Sequence, residues 1–311
     1  MPNPATSCSF DEKYEIGSLI GYGGVAAVWE CTARATREEY ALKVIQNDCN
    51  AANEIETLGQ LGHRHIIRLH EVFVEGGRKV FLVLELASGG DLFDRLSYEG
   101  RFSERVAARY IVQTVAGLVH MHRCGIAHCD IKLENLLLTS TGEDAEIRIV
   151  DFAFASQTGW RRSLTGGKGT LQYIAPEILC GVAYGTEVDM WSLGVCLFTM
   201  LSGSHPFDTN AESNRDALIR ARIKAGRFQF HPVRWDGITE AAKQLVRGLL
   251  EPDPNKRLTA EAVLSHEWVL AHMPPLLPTV CANSLQPPYG TRIDAPTWGV
   301  HAWNKAGVKS C

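Results

Sequence analysis

No charge of one sign dominates this chain. Its 31 Lys+Arg stand against 35 Asp+Glu, a net of −4. No polyanion partner is implied, and nucleic acid binding is not expected. Long apolar runs are missing as well: the longest, around Trp191 to Leu201, is too short to cross a bilayer, so no membrane partner is expected. The first ten residues, MPNPATSCSF, lack a basic segment followed by an apolar one, and Met1 is not followed by glycine. Neither a secretory leader nor a myristoylation signal is read there. The nine cysteines are odd in number and scattered without paired spacing, which fits reduced thiols better than a disulfide framework or a zinc site. No tandem repeat is visible. These absences lead us to expect a soluble protein of the cytoplasm, with the nucleus as the alternative.

What is present is ordinary globular material, 45% hydrophobic and 21% charged. The length of 311 residues allows one large domain or two modest ones. The most unusual stretch runs from Ile126 to Leu138, IAHCDIKLENLLL. It sets Asp130, Lys132, Glu134 and Asn135 within six positions, just before an apolar run. Such density of charge is poor core material, since each buried charge would need a partner. It suits a loop held by the strand after it. The residue types fit phosphoryl transfer to a hydroxyl: Asp130 to orient and deprotonate the attacking group, Lys132 to neutralise the migrating phosphoryl group, Asn135 to offer an amide oxygen to a metal ion. Alone, the stretch also reads as a solvated surface loop.

With its surroundings, the stretch resembles the catalytic loop HRDLKPEN of the eukaryotic protein kinases. Upstream, YEIGSLIGYGGVAAVWECTARATREEYALKVI reads as three strands joined by tight turns. Gly21, Gly23 and Gly24 permit close backbone approach to a triphosphate, and Ala26 stands where the family pattern has a third glycine. Lys43, in YALKVI, corresponds to the lysine that holds the α and β phosphates. Its glutamate partner is expected at Glu54 on the next helix, where Ile55, Leu58 and Leu61 recur at helical spacing; Glu56 is the rival. The linker from Lys43 is short, and Asn50 or Asn53 is expected to cap that helix. Two further strands, in RHIIRLHEVF and KVFLVLELASGGDLFDRL, complete a small antiparallel sheet and lead to a hinge.

By resemblance, Leu84 lies behind the adenine and the backbone from Glu85 to Ala87 bonds the purine edge. Ile20, Val28, Ala41, Leu137 and Val150 sandwich the ring, although all five are equally plain as core residues. Asp91 is expected to cap a helix and to face the ribose and the peptide. Asp151, at the end of EIRIVDFAFAS, resembles the metal-chelating aspartate of the family's DFG motif. Here Ala153 replaces its glycine. Cys129 replaces the arginine that usually receives an activation-loop phosphate, so less dependence on that phosphate is expected.

Gly169-Thr170 and Ala175-Pro176-Glu177 match the peptide-docking end of a kinase activation segment, and Thr170 with Lys132 is the serine/threonine-specific pattern. Ser163 and Thr165 are candidate phosphosites, with Arg162 three residues before Thr165. Asp189 is expected to tie the catalytic loop backbone, and Arg257 to meet Glu177 in a buried ion pair. SGGDLFD, DIKLEN and LSHEWV resemble the calcium/calmodulin-dependent kinase group. That group often prefers arginine three residues before the target, which Asp91 and Glu134 are placed to read.

The implied fold is α+β and two-lobed: an extension over 1–13, a small β lobe over 14–86, a large helical lobe over 87–272, and a Pro/Gly-rich tail over 273–311 that includes Trp298 and Trp303. The resemblance implies a serine/threonine protein kinase with Mg²⁺ and ATP as cofactors and Ser/Thr-bearing proteins as partners. The tail carries no basic amphipathic helix, so calmodulin binding is not evident. A nucleotide-binding scaffold without activity is the alternative. Cys129, Ala153 and the short linker before Glu54 speak for it.

Overall fold

The computed structural model describes residues 9–22, 26–157, 171–209 and 213–273. The backbone forms two compact units. One takes in the described residues up to Gly62 together with Ile67–Ser88; the other takes in His63–Ile66 and the described residues from Gly89 onward. Gly23, Arg162, Ser163, Thr165, Gly169, Thr170, Trp298 and Trp303 lie outside the described residues.

The first unit begins with a one-turn helix, α1 (Phe10–Lys13), and continues through β1 (Tyr14–Tyr22), β2 (Ala27–Ala33), β3 (Glu39–Gln46), α2 (Cys49–Gln60), β4 (Leu69–Glu75) and β5 (Lys79–Glu85). The strands form one antiparallel sheet in the order β1-β2-β3-β5-β4. Its β-branched and aromatic residues favour the pleated surface. Phe10, in the stretch the sequence assigns to an N-terminal extension, contributes to the core of this unit. The Phe10 ring stacks on Tyr14 at 5.4 Å and on Phe81 at 5.3 Å, over Cys31, Leu42 and Val83. Burying such a ring stabilises by about 2 kcal/mol. Lys13 also pairs with Glu71 at 2.8 Å.

α2 starts earlier than expected. Asp48, not Asn50 or Asn53, is its cap, accepting from the N–H groups of Asn50 and Ala51 at 2.9 and 3.0 Å. Only residues 47 and 48 separate β3 from the helix. An aspartate cap satisfies two orphan donors and complements the helix dipole, so the short linker costs nothing in helix initiation. Ala51, Glu54 and Leu58 form the buried stripe, with Thr57 beside them, so Glu54 sits within that stripe.

The second unit carries α3 (Leu92–Glu99), α4 (Glu104–Arg123), β6 (Ile126–Ala127), β7 (Leu136–Leu138), β8 (Ile147–Ile149), β9 (Ser156–Gln157), α5 (Pro176–Leu179), α6 (Glu187–Ser202), α7 (Arg215–Lys224), α8 (Pro232–Trp235), α9 (Glu240–Leu249), α10 (Ala260–Leu264) and α11 (Glu267–His272). Ser103 caps α4, whose face through Tyr110, Val115, Leu118 and Val119 is buried. α6 is apolar almost all round, as suits a helix enclosed by others. Glu104 ties α4 to the start of α9 and to α11: its carboxylate accepts from Thr239 Oγ1 at 2.7 Å and Trp268 Nε1 at 2.6 Å. Arg257 donates to both oxygens of Glu177 of α5, at 2.7 and 2.9 Å, and stands over Trp191. This pair is buried, as the sequence predicts, and losing either partner would strand a charge. At Gly89 a Cβ would lie 2.1 Å from the Ser140 carbonyl oxygen, so only glycine fits where the chain turns toward α3.

Candidate active site

In the first unit, Lys43 of β3 lies opposite Val28 and Leu82. Its Nζ donates to both Glu54 oxygens, at 2.7 and 2.9 Å. Glu54 is 2% exposed, so a half-buried ammonium is held on a carboxylate that has little water around it. The shielded carboxylate makes this charge-assisted contact stronger than one at the open surface. Glu56 is exposed, which removes it as the rival. Ala41 and Leu84 are buried, Val28 and Gly21 half-buried, and Ile20 exposed. The Glu85 N–H donates to the Arg68 carbonyl at 2.9 Å. That N–H is therefore committed within the first unit.

In the second unit the loop after β6 converges on one carboxylate oxygen. Asp130 Oδ2 accepts from Lys132 Nζ at 2.7 Å and from Asn135 Nδ2 at 2.9 Å. Asn135 Nδ2 also donates to the Asp130 carbonyl at 2.8 Å. With its nitrogen committed, the Asn135 amide oxygen is the atom turned to other ligands.

The loop is fastened from below by Asp189 of α6, which is fully buried. Its carboxylate accepts from the N–H groups of His128 and Cys129 and from His122 Nε2, at 2.9, 2.8 and 2.9 Å. These bonds hold Cys129 at φ 65°, a left-handed conformation costly for a residue with a Cβ. His128, wholly buried, accepts from the Asp130 N–H at Nδ1 and meets the Val150 carbonyl at Nε2, 3.0 Å. Its proton therefore sits on Nε2. The Val150 N–H donates to the Asn135 carbonyl at 3.1 Å. Both backbone groups of Val150 are thus tied to the loop, and this fixes where Asp151 begins. Asp151 itself has φ 65°. Phe152, fully buried, packs its ring on His128 at 4.9 Å, and β9 pairs with β6 directly afterwards.

Asp91 caps α3, accepting from the Asp94 N–H at 2.8 Å, and burial raises its pKa. Burial likewise raises that of Glu134, with Asp91 and Asp130 adding repulsion and Lys132 opposing it. One Glu134 oxygen is buried without a partner. Leu137 and Val150 are half-buried.

Two residues escaped the sequence reading. His122 falls four residues after Leu118 and seven after Val115, inside the apolar stripe of α4, and a polar residue there signals a buried partner. His128 carries no local signal, because its ring acts on the carbonyl of Val150, distant in sequence.

Asparagine and aspartate oxygens are the hard donors Mg²⁺ takes. Among the described residues no group of three or more His, Cys, Asp or Glu forms a metal cage. A magnesium ion that completes its shell with phosphate oxygens needs only the two donors Asn135 and Asp151 supply, so the residues fit.

The protein kinase domain model matches residues 14–269. The chain belongs to the protein kinase family. Members of this family generally use ATP with Mg²⁺. The chain is 41% identical over 276 residues to mouse serine/threonine-protein kinase DCLK3, covering 86% of this chain and 34% of that protein. It is 39% identical over 266 residues to human serine/threonine-protein kinase H1, covering 83% and 62%, and 39% identical over 264 residues to human calcium/calmodulin-dependent protein kinase type IV, covering 84% and 55%. The chain thus spans between about a third and three-fifths of these relatives' lengths. No helix among the described residues is long and apolar enough to cross a membrane.

Proposed function

We propose that this chain is a serine/threonine protein kinase that transfers the γ-phosphoryl group of ATP to Ser or Thr hydroxyls of proteins, with a preference for arginine three residues before the target. The observation that carries this reading is the convergence of Lys132 and Asn135 on one oxygen of Asp130. It leaves Asp130 Oδ1 to orient the attacking hydroxyl and to take its proton as the new O–P bond forms. Lys132 stands beside that carboxylate to neutralise the migrating group. Lys43, oriented by Glu54, grips the α and β phosphates, and Asn135 and Asp151 hold Mg²⁺. When bound, Mg²⁺ supplies charge neutralisation at the phosphates. Ile20, Val28, Ala41, Leu84, Leu137 and Val150 are assigned to the adenine.

The arginine preference is supported by Glu134. A guanidinium would supply the donors its buried oxygen lacks and would favour the charged carboxylate that burial opposes.

The scaffold reading loses one of its supports, because Lys43 and Glu54 meet despite the short linker. The test is phosphate transfer from Mg²⁺-ATP to a peptide library with and without arginine upstream, read by mass spectrometry. Transfer to Ser/Thr should fall by at least about a hundredfold in Asp130→Asn, and Glu134→Gln should erase the arginine preference. Nucleotide binding without any transfer would favour the scaffold.

A further inference from the structure

α7 is unlike the other long helices of its unit. Between residues 215 and 234 stand Arg215, Arg220, Arg222, Lys224, Arg227 and Arg234, and within that span the only acid is Asp216. In a chain of net charge −4 this is a local reversal of sign.

The cations of α7 and the turn after it fall into two groups. Ile219 and Ile223 bury one face of the helix against α5 and the Leu171–Tyr173 turn. Arg215 and Arg222, on the flank of that face, are both spent on Asp208: Arg215 on its carboxylate at 2.6 Å and Arg222 on its carbonyl. At 100° per residue, the direction opposite the isoleucines is occupied by Ala217, Ala221 and Lys224. Arg220 lies to one side of them and Leu218 to the other. Arg220 and Lys224 are exposed, as is Arg227 just past the helix end, and among the described residues none of these three has an acidic partner. Leu218 is 44% exposed.

We infer that this outward face of α7 docks an acidic segment of the protein substrate carrying an apolar side chain, at a distance from the target hydroxyl. The inference rests on the kinase reading above. Three cations outside any ion pair, against the single exposed acid Asp216 one turn before Arg220, select negative charge, Leu218 offers an apolar contact, and the two alanines let a chain approach closely. A substrate is favoured over other polyanions by position. The opposite face of α7 is packed on the Leu171–Tyr173 turn and on α5, which begins at Pro176. In sequence the turn lies between the two motifs that match the peptide-docking end of an activation segment, and α5 begins within the second of them. Single exposed ion pairs are weak and screened by salt, so recognition requires the cations acting together.

The test uses the full chain and two peptides with the same arginine-containing target sequence, one of them extended through a flexible Gly/Ser linker by a segment of Glu, Asp and Leu. For the wild type the extension should lower KM by about three- to tenfold at low ionic strength, with kcat unchanged. The advantage should shrink as salt is raised from about 50 to about 300 mM. The triple variant Arg220→Glu, Lys224→Glu, Arg227→Glu should lose the advantage and keep wild-type kinetics on the short peptide. The triple Gln variant should lie between. Equal KM for the two peptides in the wild type, or an advantage that survives the triple Glu variant, overturns the inference. So does salt-sensitive binding to phosphatidylserine-rich vesicles that the variant abolishes, with no peptide effect, since that would assign the face to a lipid surface. No transfer to either peptide would instead defeat the kinase reading, with the short peptide as the control that tells the two failures apart.

Discussion

Ala153 stands where the family pattern has glycine, and from the sequence this looks like a cost of about 1 kcal/mol if an unusual dihedral is needed. Its φ is not among the positive ones; the left-handed residues of the site are Cys129 and Asp151, each at φ 65°. The strain therefore lies at Asp151, beside the fastened Val150, and Ala153 bears none of it. Ala153→Gly should bring no relief. It should lower stability by about 0.4–1 kcal/mol through a looser unfolded chain and leave kcat within about twofold, as thermal unfolding and initial rates would show. A tenfold rise in kcat would place the strain at position 153 after all. At this scale the sequence was legible wherever a residue's type announced its chemistry, as for Asp130, Lys132 and Asn135. It was illegible where the meaning lay in a distant partner: nothing local marks His128 as the bridge to Val150, and the expected tie from Asp189 did not show that Cys129 would be held left-handed.

α2 carries Glu54 to Lys43, and how the helix begins decides how firmly it does so. The hydrophobic spacing revealed the helix and the right glutamate, because a period of 3.6 survives in the sequence. It did not reveal the start. Asp48 looked like part of a linker, and two asparagines further on were equally good caps by type. Asp48→Ala should cost about 1 kcal/mol of stability, with a rise in KM for ATP as the helix frays and Glu54 wanders. Asp48→Asn should restore both. A D48A protein with unchanged melting and unchanged KM would mean the cap is idle. The strands were readable from their β-branched and apolar runs, β5 being apolar at five successive positions, although the β2–β3 turn has no glycine and Arg37 takes its left-handed position at φ 63°. The contribution of α1 was not, since a four-residue helix has too few positions to show a period, and Phe10 alone gives no sign of the ring stack that receives it.

Across the molecule, the histidines of the connection between α2 and β4 set an acid limit. Burial, with neighbouring His65, His120, Arg64 and Arg148 adding repulsion, lowers the pKa of His63 to about 3. Burial also lowers that of His65 to about 4, against its bond to the Ile147 carbonyl. In the unfolded chain these rings bind protons near pH 6.5. Between that value and about pH 4 the unfolded state therefore holds more protons, and stability must fall as pH falls. Each ring contributes a slope approaching about 1.4 kcal/mol per pH unit. The raised carboxyls of Asp91 and Glu134 act in the opposite sense toward the acid end. Urea unfolding at pH 7 and at about pH 5 should show the loss, and His65→Gln should flatten it; an unchanged slope would mean the rings titrate normally.

The loop around Asp130 has a consequence in time. The backbone amides of His128, Cys129 and Asp130 all donate to protein acceptors, two of them to the buried Asp189. In deuterated buffer a surface loop ordinarily exchanges its amide protons within seconds. These three should instead wait for the opening of the surrounding helices, exchanging on the slow clock of α4 and α6. The part of the chain assigned to the chemistry would then be among the last to yield its protons to water.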